Sequence, residues 1–140
     1  MTCDPPSLPS ATERSHLLTR LLVDWAGEPQ LEVRLLEAVE GHGRILAQRV
    51  EYLVANGSAV AAALGLSPMA FLRACCAYPD LLYQSPETMR RRVEALAGLL
   101  GLSPARFVKA ALILPQVMML APQAVRAKLD ETAGVLGIDP

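Results

Sequence analysis

Leu64-Gly65-Leu66-Ser67-Pro68 returns 36 residues later as Leu100-Gly101-Leu102-Ser103-Pro104, and a third copy reads Leu136-Gly137-Ile138-Asp139-Pro140. At the same spacing Phe71 recurs as Phe107 and Pro79 as Pro115. A fixed period with recurring glycine and proline is typical of repeat proteins, in which each unit buries its apolar face against its neighbours. The sequence therefore predicts an all-α fold, an α-solenoid built from three-helix repeats of about 36 residues.

The helix signals within one repeat are local and repeat with it. Ser67 and Ser103 suit N-cap positions, and each precedes a proline, which the first helical position tolerates. Pro79 and Pro115 predict the end of that first helix, because a proline inside a helix removes a hydrogen bond and clashes with the preceding turn. A short turn and a longer helix follow. The apolar stripe of the longer helix is Met89, Val93, Leu96 and Leu100 in the first repeat and Val125, Leu129 and Leu136 in the second.

The period divides the chain into five segments. Residues 1–9 are expected to be a flexible tail, 10–63 to form N-terminal helices that include a degenerate repeat, 64–100 and 101–136 to be repeats, and 137–140 to begin an incomplete repeat. In the N-terminal part, Ser10 predicts a helix start and Gly27 a helix end. A later helix is expected over 44–55, ending at Asn56-Gly57. Arg49–Leu53 resembles Arg92–Leu96 at a spacing of 43, which predicts an insertion around 56–62.

Composition limits the function classes. The 140-residue chain is 52% hydrophobic and 19% charged and carries a net charge of −1, so it is neither a solvated disordered chain nor a strongly basic polyanion binder. Its three cysteines do not form a disulfide framework, and no signal or transit peptide is visible. We therefore expect a reducing compartment, the cytoplasm or an organellar matrix, and no association with a membrane.

The repeat motifs resemble those of a known family. Tyr78-Pro79-Asp80-Leu81-Leu82, Leu64-Gly65-Leu66-Ser67 and the weaker Leu114-Pro115-Gln116-Val117-Met118 are similar to the repeat of mitochondrial transcription termination factors, the mTERF proteins. The resemblance covers residues 64–140, about two units. It implies a superhelix of three-helix repeats that binds nucleic acid, DNA or RNA, along a basic concave surface and acts in transcription or RNA metabolism.

Cations recur at the repeat spacing. Arg73 returns as Lys109, Arg90 as Arg126, and Arg92 as Lys128. If the units stack in register, these six side chains form ladders suited to phosphates, and we take them as the candidate nucleic-acid contacts. The alternative is that they are solvated helix flanks, whose long stems cover apolar neighbours and whose charges are partly neutralised by Glu94 and Asp130.

No arrangement typical of catalysis or cofactor binding stands out. His16 and His42 have no partner at metal-ligand or triad spacing, and Cys75 and Cys76 align with apolar positions of the next repeat. The sequence predicts a protein that is not an enzyme and has no cofactor and no metal. The alternative function is a protein-interaction scaffold or a bacterial effector, with a protein partner or a second copy at an uncovered apolar C-terminal end.

Overall fold

A computed structural model describes residues 10–137, and within that range the chain is all-α. Eight α-helices are joined by loops and three 3-10 turns, and the described residues contain no β-strand. The helices are α1 Ala11–Ala26, α2 Glu32–Glu40, α3 Gly43–Leu46, α4 Val50–Ala63, α5 Pro68–Ala77, α6 Pro86–Leu100, α7 Pro104–Ala111 and α8 Pro122–Leu136. The turns are Pro29–Leu31, Pro79–Tyr83 and Pro115–Met119. The all-α class is thus confirmed; the expected tail over 1–9 and the last three residues of the incomplete repeat lie outside the described range.

Four of the helices have a serine at the N-cap, and its hydroxyl caps the helix. Ser10, Ser67, Ser85 and Ser103 each accept a hydrogen bond from the backbone N–H three residues later, at 3.1 to 3.3 Å. Each bond satisfies one of the N–H groups that has no partner within the helix. The N-caps predicted at Ser10, Ser67 and Ser103 are therefore confirmed.

Glycines in the left-handed conformation follow the four long helices. The φ angles of Gly27, Gly65, Gly101 and Gly137 are 68° to 69°. Glycine adopts this region readily, whereas a residue with a Cβ is strained there. Pro79 and Pro115 follow the shorter helices of the repeats. α5 ends at Ala77 and α7 at Ala111, and each proline opens a 3-10 turn. The ends at the glycines and the end of α5 before Pro79 match the sequence prediction, whereas α7 ends earlier than predicted, with three residues between Ala111 and Pro115.

The order of elements recurs three times at a spacing of 36 residues. A helix, a short turn or helix and a long helix begin at 32, 43 and 50, then at 68, 79 and 86, and again at 104, 115 and 122. The first of these segments needs no inserted residues, so the insertion predicted around 56–62 is wrong. The match between Arg49–Leu53 and Arg92–Leu96 is not structural, because Arg49 occupies the N-cap position before α4 whereas Arg92 lies inside α6.

The helix end predicted at Asn56-Gly57 is also wrong. The helix predicted over 44–55 is instead the short α3 and the first part of α4, and α4 continues through Asn56-Gly57 to Ala63. The Asn56 amide donates hydrogen bonds of 2.8 Å to the carbonyls of both Leu82 and Gln84. Gly57 lies so close to the Leu82 side chain that only a residue without a Cβ fits without a shift. Contacts with the next segment therefore override the local stop signal.

The core lies between the long and the short helices. Along the chain α1 packs against α4, α4 against α6, and α6 against α8, while α2 packs against α5 and α7 against α6. Trp25 of α1 meets Phe71 of α5 edge to face, with ring centroids 6.1 Å apart. Equivalent positions are buried in successive segments, as for Leu53 and Met89 or Val60 and Leu96. The stripe predicted on α6 is buried except at Leu100, which is 46% exposed. On α8, Ala133 is the buried residue, and Leu129 and Leu136 of the predicted stripe are exposed.

Candidate nucleic-acid interface

Arg90 lies on the exposed surface of α6 between two carboxylates. Its guanidinium is 2.5 Å from Glu87 Oε1 and 2.8 Å from Glu94 Oε1, on residues three and four positions away along the helix. Arg91 adds a contact of 3.2 Å to the same Glu87 oxygen. The hydrogen bond from Arg90 is the main cause that lowers the pKa of Glu87, and Glu87 in turn raises the pKa of Arg90. A phosphate that binds Arg90 has to compete with these two carboxylates.

The equivalent cations on α8 are held more loosely. Arg126 Nε is 4.0 Å from Asp130 Oδ2, and Lys128 Nζ is 3.7 Å from Glu131 Oε2. Both pairs lie within one turn of a single exposed helix, where an ion pair contributes little because solvent screens it. These two cations can therefore exchange their partners at small cost.

Arg73 on α5 and Lys109 on α7 are exposed, and within residues 10–137 neither forms an ion pair. Each is the sixth residue of its helix, counted from the proline that opens it. In α2 the equivalent position holds Glu37, so the row of cations starts at α5.

Arg92 differs from Arg90 in the side of α6 it occupies. Two residues apart on a helix, the two side chains are directed about 160° apart around the axis. Arg92 is half-buried, and its equivalent one segment earlier is Asn56, which bonds to the turn of the next segment. Arg92 thus occupies a helix position that faces the following segment, and Lys128, at the equivalent position of α8, is exposed. On α6, and by the period on α8, the candidate cations therefore lie on two different sides of the helix and do not form a single row.

Two shallow surface grooves adjoin charged residues. One, of about 370 Å³, lies between α6 and the start of α8 and is lined by Ala95, Leu99, Pro122, Gln123 and Arg126. The other, of about 400 Å³, lies on α1 and is lined by Thr12, Glu13, His16, Leu17 and Arg20. Arg126, one of the six candidate cations, borders the first of these grooves.

Cys75 and Cys76 contribute to packing, and His42 is placed for a local hydrogen bond. Cys75 is fully buried, and burial raises the pKa of its thiol well above its ordinary value. Cys76 is half-buried; burial raises its pKa too, while the charge of Arg34 opposes that shift. His42 Nδ1 is 3.2 Å from the Ala38 carbonyl. Across residues 10–137, no three His, Cys, Asp or Glu side chains come together as a metal site.

The structure contains one polar cluster that was not predicted from the sequence. Asp80, in the turn Pro79–Tyr83, lies beside Tyr78 and Tyr83, and Arg44 of α3 approaches Tyr83. Burial, and then Asp80, raise the pKa of both tyrosines. The 36-residue period is a sequence signal for this cluster, because Arg44 and Asp80 are 36 residues apart and so occupy equivalent positions in adjacent segments.

Comparison with known proteins finds no relative of this chain. No protein-family model, no curated protein and no solved structure matches this chain. Of the described helices, none by itself has the length and apolar character to cross a bilayer; α4 and α5 meet that test only as a pair, bent by 110° at their junction.

Proposed function

We propose that the helices form a short α-solenoid, in which each 36-residue segment packs against the segment before it and the segment after it. The supporting observation is the order of the packing: each long helix contacts the next long helix along the chain, and α2 contacts α5 in the same way. Hydrogen bonds from Asn56 to the following turn, together with the fit of Gly57 against Leu82, link two consecutive segments. Contacts between sequential neighbours are the property that defines a solenoid.

We propose that this solenoid is a non-enzymatic nucleic-acid-binding protein, similar in repeat and role to the mTERF regulators of transcription or RNA metabolism. The observation that carries the proposal is the recurrence of cations at equivalent, exposed helix positions, above all Arg73 and Lys109. Both are exposed to solvent and have no ion pair in the described range. Lysine and arginine of this kind bind phosphates mainly through release of counterions.

The remaining candidates have secondary roles in this proposal. Arg90 and Arg126 contact phosphate after giving up the carboxylates of their own helices, and Arg126 does so more readily because its pair is longer. Arg92 faces the junction with the next segment and Lys128 is exposed on α8; both contribute mainly to the local electrostatic potential. Binding through two to four phosphates gives a weak, strongly salt-dependent interaction, with a log–log salt slope of about −2 to −4.

The test is fluorescence anisotropy with labelled DNA and RNA duplexes and single strands of about 20 nucleotides, over a range of salt concentrations. Arg73→Ala combined with Lys109→Ala is expected to weaken binding on every sequence and to reduce the salt slope by about two, because each contact contributes about 0.9. The matched control is Arg20→Ala with Arg34→Ala, which removes the same charge from exposed positions on α1 and α2. Equal loss in both double variants contradicts a defined site, and the absence of salt-dependent binding in the unmodified chain contradicts the proposed function.

A further inference from the structure

The exposed side of α7 carries two neighbouring cations. Three apolar residues bury the opposite side of this helix. Arg106 and Lys109 are exposed and lie within one turn of each other, about 60° apart around the axis, so both side chains leave the helix on the same side. The other residues of this side are small and exposed. We name the four residues the α7 face: Ala105, Arg106, Lys109 and Ala110.

In the part of the chain that the structure describes, neither cation of the α7 face forms an ion pair. Between Glu94 and Asp130 the sequence contains four cations and neither aspartate nor glutamate. α7 packs mainly against α6 and the turn Pro115–Met119, and that turn is uncharged. Both glutamates of α6 are paired with arginines of their own helix. A polyanion that approaches the α7 face therefore displaces no carboxylate.

The charge of this helix side increases along the three segments. At the first of the two positions the segments hold Arg34, Ala70 and Arg106, and at the second they hold Glu37, Arg73 and Lys109. The two positions together thus have no net charge on α2, one positive charge on α5 and two on α7. Because Ala70 interrupts the recurrence, the 36-residue period does not identify Arg106 as a candidate.

The same helix side is exposed in segments that have a further segment after them. Arg34 and Glu37 on α2 and Arg73 on α5 are all exposed, although another segment follows each of these helices. The exposure of the α7 face is therefore a property of this helix side in every segment. It does not depend on α7 lying in the last segment.

Given the nucleic-acid binding proposed above, on which this inference rests, we propose that the α7 face is the principal phosphate-binding site and that Arg106 is a further contact residue beside Lys109. Side chains three positions apart on a helix are neighbours, so the two cations act on the same stretch of phosphate backbone. Ala105 and Ala110 leave room for that backbone to approach α7 closely. The increase in charge from α2 to α7 directs the nucleic acid towards α7, with Arg73 as the next contact.

The test compares Arg106→Ala with Arg34→Ala, which removes the same charge from the equivalent position of α2. The measurement is fluorescence anisotropy with the labelled DNA or RNA that the unmodified chain binds most tightly. Arg106→Ala is expected to raise the dissociation constant about five- to tenfold at about 0.1 M salt and to reduce the salt slope by about one. Arg34→Ala is expected to change it less than about twofold, because Glu37 already offsets the charge of Arg34.

Ala70→Arg tests the α7 face by a gain of affinity. It gives α5 the same two cations that α7 carries, at the same helix positions. The variant is expected to bind about five- to tenfold more tightly, with a salt slope steeper by about one. A variant that has only lost stability cannot show this gain, so the result separates phosphate contact from an effect on the fold.

The outcomes distinguish this proposal from the proposed function. An unmodified chain without salt-dependent binding overturns both. Equal weakening by Arg106→Ala and Arg34→Ala, or no gain with Ala70→Arg, overturns the role of the α7 face and leaves nucleic-acid binding in place. Vesicles of equal parts phosphatidylserine and phosphatidylcholine are the second probe, because Ile113, which is 90% exposed, follows α7, and cations beside an apolar residue also fit an anionic lipid surface. Binding to these vesicles without binding to nucleic acid overturns the proposal.

Discussion

Gly57 of α4 lies directly against the side chain of Leu82, in the turn of the following segment. A Cβ at position 57 would lie 3.1 Å from Leu82 Cδ2 and 3.4 Å from Phe71 Cε1. Both of these neighbours are fully buried and so have little room to move. The equivalent position in the next segment holds Val93, so glycine here is a feature of one junction and not of every segment.

Gly57→Ala is therefore expected to destabilise the protein although alanine is the better helix former. The gain in helix propensity is about 1 kcal/mol, and overpacking at a closed site costs about 1 to 3 kcal/mol. We expect a net loss of about 1 kcal/mol in the free energy of unfolding, measured by urea denaturation.

Gly98 provides the matched control for that substitution. It lies inside α6, and a Cβ there has no atom within 4 Å. Gly98→Ala is expected to raise the free energy of unfolding by about 0.5 to 1 kcal/mol, because it gains helix propensity without a clash. Equal effects of the two substitutions would show that Leu82 adapts freely and that the close approach does not hold the junction.

Asn56→Leu tests the hydrogen bonds at the same junction. The leucine keeps a similar volume but donates no hydrogen bond to the carbonyls of Leu82, which is buried, and Gln84, which is half-buried, so both acceptors lose this partner. We expect a loss of about 1 to 3 kcal/mol, together with faster amide exchange in the turn Pro79–Tyr83. Gln123→Leu on the exposed start of α8 is the control, and it should leave both the stability and the exchange rates almost unchanged.

The sequence was sufficient for those parts of the fold that local chemistry determines. The serine N-caps, Pro79 and the glycines at 101 and 137 each act on the backbone within a few residues, and the structure places helix ends at all of them, whereas α7 has already ended at Ala111 before Pro115 is reached. Asn56-Gly57 carries an equally strong local stop signal. Whether the helix ends there depends on contacts with Leu82 and Gln84, 26 and 28 residues away, which no local pattern reveals.

The candidate interface was predictable in part for the same reason. The period identified which cations occupy equivalent positions, and helix spacing identified Glu94 and Asp130 as their neighbours. Glu87, which has no acidic equivalent in the next segment because Gln123 stands there, is the nearest partner of Arg90 and was not anticipated. The half-buried position of Arg92 follows from the junction between segments, and that required the structure.

Releasing Arg90 from its carboxylates is expected to strengthen nucleic-acid binding. Glu87→Gln with Glu94→Gln removes both partners that compete with phosphate for the guanidinium. Asp24→Asn with Glu40→Gln makes the same change in net charge at exposed positions far along the sequence and is the control. By anisotropy, the first variant should bind more tightly than the control and show a salt slope steeper by about one, because one more phosphate is contacted. Identical curves would remove Arg90 from the proposed interface.

Stability is expected to fall at alkaline pH because of the buried thiol of Cys75. Burial raises its pKa in the folded state above the ordinary value of 9.0, so the unfolded chain releases the proton first as the pH rises. The stabilising effect of the protonated thiol is therefore fully present below pH 9 and is lost progressively above it, by up to about 1.4 kcal/mol per pH unit. Urea unfolding at pH 7.0 and 10.0 under reducing conditions should show this loss. Cys75→Ala, which introduces the residue found at the equivalent Ala111, should reduce the loss more than Cys76→Ala does, because Cys76 is only half-buried and lies near Arg34. If both variants lose as much stability between the two pH values as the unmodified chain, the Cys75 thiol is not the group responsible.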